Sequence, residues 1–203
     1  MLVQDLREAD VDPNPFNQFR SWLDLALSST LPEPIGMALA TATSDGRPSV
    51  RMVLLRGFDE RGFVFFTNYQ SRKAEELESN PRAALVFYWA ELDKQVRIEG
   101  HVQRVTAEES DEYFQSRAWG SRLGAWASPQ SQVIASRDVL EQQMEELATR
   151  FPEPDVPRPA YWGGYRVIPV SIEFWQGQPN RLHDRLRYRR LDDNSWCLER
   201  LAP

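Results

Sequence analysis

Residues 36–67 read GMALATATSDGRPSVRMVLLRGFDERGFVFFT, and this stretch decides the fold class. Three runs rich in aliphatic, aromatic and β-branched residues, 36–43, 49–57 and 63–67, are separated by Asp45-Gly46 and by Asp59-Glu60-Arg61-Gly62. Both separators are turn chemistry. Connections this short cannot carry a parallel crossover, so the pattern predicts an antiparallel meander.

Upstream, Phe16, Phe19, Trp22, Leu23 and Leu27 recur at helical spacing and predict a helix over 15–28, ended by Pro32-Glu33-Pro34. Downstream, Ser71 is placed to cap a short helix that stops near Asn80-Pro81, and strands follow over 83–89 and 95–105. In the second of these, Val96, Ile98 and Val102 face one way while Gln95, Arg97, Glu99 and Gln103 face the other, as in a half-buried strand. Helices over 106–117 and 136–151, with Thr106 and Ser136 as caps, precede a proline-rich loop over 152–159. Strands over 166–175, 185–191 and 196–201 complete the chain. Seven or eight short antiparallel strands with peripheral helices make a mainly β, α+β protein. Closing them into a small barrel removes exposed edges. Side chains fill so small a barrel, which leaves a groove or a subunit interface for any cofactor.

With 203 residues, 41% of them hydrophobic, the chain can bury one sizeable core, and no repeat or linker divides it. A single domain over 1–203 is expected. The net charge of -6 argues against nucleic acid or an anionic membrane as partner, so any anion site must be local. Cys197 is the single cysteine and cannot form an internal disulfide, and residues 1–10 are too charged for a secretory signal, which points to the cytoplasm. Apolar runs are strand-sized, short of the ~20 residues of a membrane-spanning helix. Of 24 basic residues only Lys73 and Lys94 are lysine. Composition bias accounts for most of that, although a guanidinium also grips phosphate through two parallel hydrogen bonds.

There is no Gly-rich phosphate loop, nucleophile elbow, paired-cysteine motif or HExxH, and His101 and His183 are the only histidines. No metal is expected, and an organic cofactor would have to supply the chemistry. Arg72 and Lys73 at the start of a helix oppose its dipole, at a cost of ~0.3–1 kcal/mol each, unless an anion binds there. The plainer alternative is two solvated side chains ahead of Glu75, Glu76 and Glu78. Arg51 and Arg56 bracket an apolar run, and a spacing of five puts them on opposite faces of a strand. Arg181, His183 and Arg185 would share one face if extended, with a polar hairpin edge as the alternative.

In order and spacing, these segments resemble the pyridoxine (pyridoxamine) 5'-phosphate oxidase family from about residue 15 to 203. The resemblance is carried by RMVLLR at 51–56, Thr67-Asn68 with Ser71-Arg72-Lys73, Gln95, the segment from Tyr113 to Ser121, and Gln130-Ser131. Phe174-Trp175-Gln176-Gly177, Arg181-Leu182-His183-Asp184-Arg185 and the terminal Arg200-Leu201-Ala202-Pro203 complete it. It implies an antiparallel, FMN-binding split β-barrel, with an extended segment over 1–14 and C-terminal strands over 166–203. FMN would lie at the two-fold interface of a homodimer. The matching flavin contacts are Arg51, Met52, Val53, Leu54, Leu55, Arg56, Phe66, Thr67, Ser71, Arg72, Lys73, Gln95, Gln130, Ser131, Trp175 and Arg185. Substrate contacts carry over to Arg56, Tyr113, Arg117 and Ser121 around a phosphate, and to Arg181 and His183, the catalytic pair, at the pyridine ring.

The implied reaction oxidises pyridoxine or pyridoxamine 5'-phosphate to pyridoxal 5'-phosphate, with hydride passing to flavin and O2 yielding hydrogen peroxide. The amine substrate also releases ammonia. Two departures stand out. Arg56 occupies a position where the family usually has lysine, giving a bulkier, two-pronged contact. A segment that closes over the substrate is largely missing ahead of Asp5, and Arg7 does not replace it, so a weaker lid and faster exchange are expected. The alternatives are a phenazine-pathway oxidase of the same fold, which would not need Tyr113, Arg117 and Ser121 together, and a noncatalytic flavin or pyridoxal-phosphate binding protein, which would not need Arg181 and His183.

Overall fold

A computed structural model describes residues 5–203, so residues 1–4 of the expected N-terminal segment lie outside the described residues. Nine strands form one antiparallel sheet: β1 (Gly36–Ala42), β2 (Pro48–Leu54), β3 (Gly57–Asp59), β4 (Gly62–Asn68), β5 (Arg82–Trp89), β6 (Lys94–Arg104), β7 (Trp162–Gln176), β8 (Asp184–Arg190) and β9 (Trp196–Arg200). The order runs β2-β1-β5-β6-β7-β4-β3, with β8 and β9 continuing from β7. Five helices surround it: α1 (Pro15–Leu27), α2 (Arg72–Ser79), α3 (Ala107–Ser116), α4 (Trp119–Ala127) and α5 (Asp138–Arg150). No helix among the described residues is long and apolar enough to cross a membrane.

The mainly β class and the antiparallel pairing match expectation, but the first three strands are not a meander. β1 pairs with β2, whereas β4 crosses to pair with β7. The expected strand over 49–57 breaks after Leu54 because Leu55 and Arg56 turn their amides to Ile35 and Val64 on different strands or loops. That break raises the strand count to nine. At the β3–β4 turn Gly62 has φ 137°, and a Cβ there would lie 2.1 Å from the Val167 carbonyl oxygen, so glycine is required. Helix α4 was not foreseen, and α5 begins at Asp138 with Arg137 at its cap, leaving Ser136 only a 3.3 Å contact to Asp138. Thr106 does cap α3, in a reciprocal capping box with Glu109.

Alternation fills one side of the sheet. Met37 and Leu39 of β1, Leu85 and Phe87 of β5, Val96 and Ile98 of β6, and Ile172 and Phe174 of β7 are all fully buried. Helix α1, capped by Asn14 with Pro15 in its first turn, covers this core with Phe19, Trp22, Leu23 and Ala26. Phe19 meets Phe58, Phe63 and Phe87 at ring centroid distances of 4.8, 4.9 and 5.1 Å. A smaller cluster of Phe114, Leu123, Val156 and Trp162 holds α3 and α4 against the start of β7. The segment 5–14 is irregular and tied to the C-terminal hairpin, where the Leu6 amide donates to Asp184 (3.1 Å), Arg200 pairs with Glu8 (2.8 Å) and the Tyr188 hydroxyl donates to the Asp12 carbonyl (2.6 Å).

Phe19→Ala, which removes the ring at the centre of this cluster, is expected to cost ~3–5 kcal/mol of unfolding free energy in denaturant titrations. A cost below ~1 kcal/mol would contradict the packing described here.

Candidate functional site

A cleft of about 780 Å³ opens where β2, the end of β4, the start of α2, α3, α4 and the loop after α4 converge. At one end sits Lys73. The tight turn between β4 and α2 is locked by the buried Ser71 hydroxyl, which donates to the Asn68 carbonyl (2.7 Å), and a first-turn side chain then points back toward the strand end. Lys73 Nζ donates to Thr67 Oγ1 (3.1 Å), Ser71 Oγ (3.2 Å) and Gln130 Oε1 (3.0 Å), all neutral acceptors. Burial pushes the ammonium down to about 8, the Arg51 charge pushes the same way, and Glu76 opposes them.

Glu76 is nearly fully buried beside it and accepts from Ser49 Oγ (2.5 Å), the Thr41 hydroxyl, Arg72 Nε (2.9 Å) and Arg51 Nη2 (3.3 Å). Burial alone would raise its pKa, but these donors outweigh that and hold it at about 2. The dipole conflict read in the sequence is therefore partly met from within the helix, because Arg72 turns to Glu76 one turn on.

A second cationic group lines the same cleft. Arg56 and Arg117 both line the cleft, and neither pairs with a carboxylate among the described residues. Arg117 closes α3 with its guanidinium 4.8 Å over the Trp162 ring, and its Nη1 is buried without a hydrogen-bond partner. Desolvation lowers its pKa, and the Arg56 charge adds to this against the opposing effect of Tyr113. Phe66 stacks on Tyr113 at 4.0 Å and on Trp162 at 5.5 Å, forming an aromatic wall. β2 adds the exposed, apolar Val50 and Met52 to the lining.

Of the residues singled out in the sequence, Arg51, Met52, Val53, Leu54, Arg56, Phe66, Thr67, Arg72, Lys73, Tyr113, Arg117, Ser121, Gln130 and Ser131 line this cleft. The expectation that Arg51 and Arg56 face opposite ways fails, because the strand ends between them and its alternation ends with it. Leu55 lies in the core, and Ser71 is buried beneath Lys73.

Gln95, Trp175, Arg181, His183 and Arg185 do not line the cleft. Gln95 faces Trp175 in register and Trp175 faces Arg185, so they form a separate cluster. Trp162, which does line the cleft, sits thirteen residues earlier on the same strand as Trp175, roughly 40 Å along it. His183 packs 4.6 Å from Trp175 and accepts the Gln178 amide through Nδ1 (3.1 Å). Arg185 grips Glu173 with two bonds (2.8 and 3.1 Å). Arg181 lies in a helical turn with φ 63°, before β8 begins, so the shared strand face expected for Arg181, His183 and Arg185 is not formed. Sequence reasoning missed Trp162, Ser49 and Glu76 as part of this neighbourhood, and it noted Asn68 only within the Thr67-Asn68 string. Only Glu76 left a signal, its four-residue spacing from Arg72.

Comparison with known proteins places the chain in context. Residues 23–151 match the family model described as "Pyridoxamine 5'-phosphate oxidase", and residues 162–203 match "Pyridoxine 5'-phosphate oxidase C-terminal dimerisation region". The pyridoxine/pyridoxamine 5'-phosphate oxidase of Nostoc sp. strain PCC 7120 is 60% identical over 201 residues, 99% of this chain and 94% of that protein. The crystal structure of PhzG from Burkholderia lata 383, in complex with tetrahydrophenazine-1-carboxylic acid, is 35% identical with a TM-score of 0.92 and covers 99% of both chains. A pyridoxamine 5'-phosphate oxidase-related, FMN binding protein from Nostoc punctiforme shares the fold at 21% identity and a TM-score of 0.75, covering 94% of this chain and 98% of that one. The sheet is thus a split β-barrel of this structural group.

An anion meeting Lys73 requires its charged form, so affinity should hold steady below the depressed pKa and fall as pH rises through about 8. Calorimetry with sulfate, which does not itself titrate in this range, is expected to show this decline, limited to roughly tenfold per pH unit. Constant affinity from neutral pH to well above the depressed value would contradict it.

Proposed function

The chain belongs to the pyridoxamine 5'-phosphate oxidase family, and on that footing we propose that it oxidises pyridoxine or pyridoxamine 5'-phosphate to pyridoxal 5'-phosphate, using FMN and O2, as a cytoplasmic homodimer. One observation carries this reading. A single cleft gathers Lys73, flanked by Arg51 and Arg72, together with Arg56 and Arg117; of these, Lys73, Arg56 and Arg117 have no carboxylate partner among the described residues, and an apolar stretch of β2 and an aromatic wall complete the lining. Two phosphorylated ring systems laid face to face need this arrangement.

The residues fit FMN. A phosphate monoester carries close to two negative charges near neutral pH, and Lys73 presents a buried ammonium that only neutral groups now meet. Val50 and Met52 offer a flat apolar surface to a ring. When bound, FMN supplies hydride acceptance and reoxidation by O2 with release of hydrogen peroxide.

The protein's own part is positioning. Arg117, with its unpartnered nitrogen, and Arg56 take the substrate phosphate, joined by the hydroxyls of Tyr113 and Ser121 on the same wall. Anchoring there holds the reacting carbon over the cofactor, and orientation of this kind is worth ~7–11 kcal/mol of barrier. Gln95, Trp175, Arg181, His183 and Arg185 stand outside the cleft of their own chain. Their contribution comes from a second copy, in keeping with the dimerisation region matched over 162–203. In that arrangement Arg181 and His183 meet the pyridine ring, and cationic Arg181 stabilises charge developing on it.

The close structural likeness to PhzG supports a second reading, an oxidase acting on a ring carboxylate. Two guanidiniums and two hydroxyls at one end of the cleft favour the doubly charged phosphate over a single carboxylate. Anaerobic mixing of the FMN-loaded protein with each phosphorylated vitamin is expected to bleach the flavin, and admission of air should then give pyridoxal phosphate and peroxide. Bleaching only by a ring carboxylate would favour the second reading, and no bleaching by either would favour a binding protein.

Arg117→Ala is expected to raise KM for the phosphorylated substrate about 10- to 100-fold, the effect of losing ~1.5–3 kcal/mol of charge-assisted bonding, with the flavin still bound. Lys73→Ala should instead loosen the flavin. The reverse pattern in steady-state kinetics and flavin titration would exchange the two phosphate sites.

A further inference from the structure

Beneath the cleft, but not lining it, Glu76 collects donors from three separate elements: Thr41 of β1, Ser49 and Arg51 of β2, and Arg72 of its own helix. A carboxylate is out of place next to an anion site by simple charge. It lies within 3.3 Å of two of the three cations that would meet the anion, and its field also reaches Lys73. At first sight it weakens what it adjoins.

Two features reverse that conclusion. The three cations and the one carboxylate leave two net positive charges, which is the charge of a phosphate monoester dianion. Without Glu76, Arg51, Arg72 and Lys73 would repel one another before any ligand arrived, and Arg72, more than half exposed, would have nothing to fix it. With it, Arg51 is tied to Glu76, Ser49, Thr41 and the Leu39 carbonyl at once, and Arg72 is turned back against its own helix. The ordering cost of both side chains is met in the free protein, so it does not fall on the binding step.

We propose that Glu76 is a positioning residue for the cofactor phosphate, holding Arg51 and Arg72 in place through its acceptor oxygens and matching the pocket's charge to a dianion. This rests on the reading of Lys73 and its neighbours as the FMN phosphate site. It concerns a residue that touches neither cofactor nor substrate.

The test compares FMN with riboflavin, which lacks the phosphate, by fluorescence titration of the apoprotein. Glu76→Met keeps the volume and removes the acceptors. It is expected to weaken FMN by about tenfold or more, the scale of one disrupted charge-assisted bond, while riboflavin changes less than about twofold. Glu76→Gln, which keeps the shape and one acceptor but loses the charge and the other acceptor, should bind FMN more weakly than wild type yet more tightly than Glu76→Met. If Glu76→Met does not fold, Glu76→Asp, which keeps the charge but withdraws it by one carbon, should still lose FMN selectively. FMN binding as tight as or tighter than wild type in Met or Asp, parallel loss of FMN and riboflavin, or Gln losing as much as Met would each overturn the proposal. Uptake of FMN by the wild-type protein tests the cofactor reading separately, before any variant is made.

Discussion

Strand β7 pairs with β6 along nearly its whole length, with β4 at its beginning and with β8 at its end. Its fifteen residues therefore carry the sheet from one end to the other. That length has a second effect. Trp162 at the start of β7 belongs to the aromatic wall of the cleft, while Trp175 near its end belongs with Gln95, His183 and Arg185. A rigid strand of this length holds the two groups apart in any one copy. On the proposed reading, each chain then supplies half of a site to a second copy.

The charges follow a matching logic. Two buried glutamates each hold a pair of arginines, Glu76 holding Arg51 and Arg72, and Glu173 holding Arg185 and Arg97. Each fixes arginines whose long side chains would otherwise have to be ordered when a ligand binds. Within the cleft, Lys73, Arg56 and Arg117 have no carboxylate partner among the described residues, and on the proposed reading bound phosphates meet them there. An acidic chain can host such anion sites because they are local and partly shielded from solvent.

The strands were legible because their alternation is local: β1, β5 and β6 show it residue by residue. Their partners were not. Nothing in the sequence near Phe63 or Val64 indicates that β4 pairs with Val167 rather than with β2, because pairing is settled by the sheet as a whole. The break at Leu55 is of the same kind, caused by amides that reach two different neighbours, and it undid the parity argument for Arg51 and Arg56. Helix α4 escaped notice because Gly120 and Gly124 interrupt an already short apolar pattern. Site residues carried by contiguous strings such as 51–56 were readable, whereas Trp162 and Glu76 act through tertiary contacts that no string records.

The central claim is that each working site takes its phosphate-facing residues from one chain and its Trp175–His183–Arg185 cluster from another. Mixing Arg117→Ala protein with His183→Ala protein, under conditions that exchange subunits and at a substrate concentration at which each variant alone is nearly inactive, tests it most directly. A two-fold dimer with shared sites restores one intact site in each mixed pair, so activity should return to about a quarter of the wild-type value. If the mixture stayed as inactive as its components while subunit exchange was shown to be complete, the sites would lie within single chains and the account would be wrong.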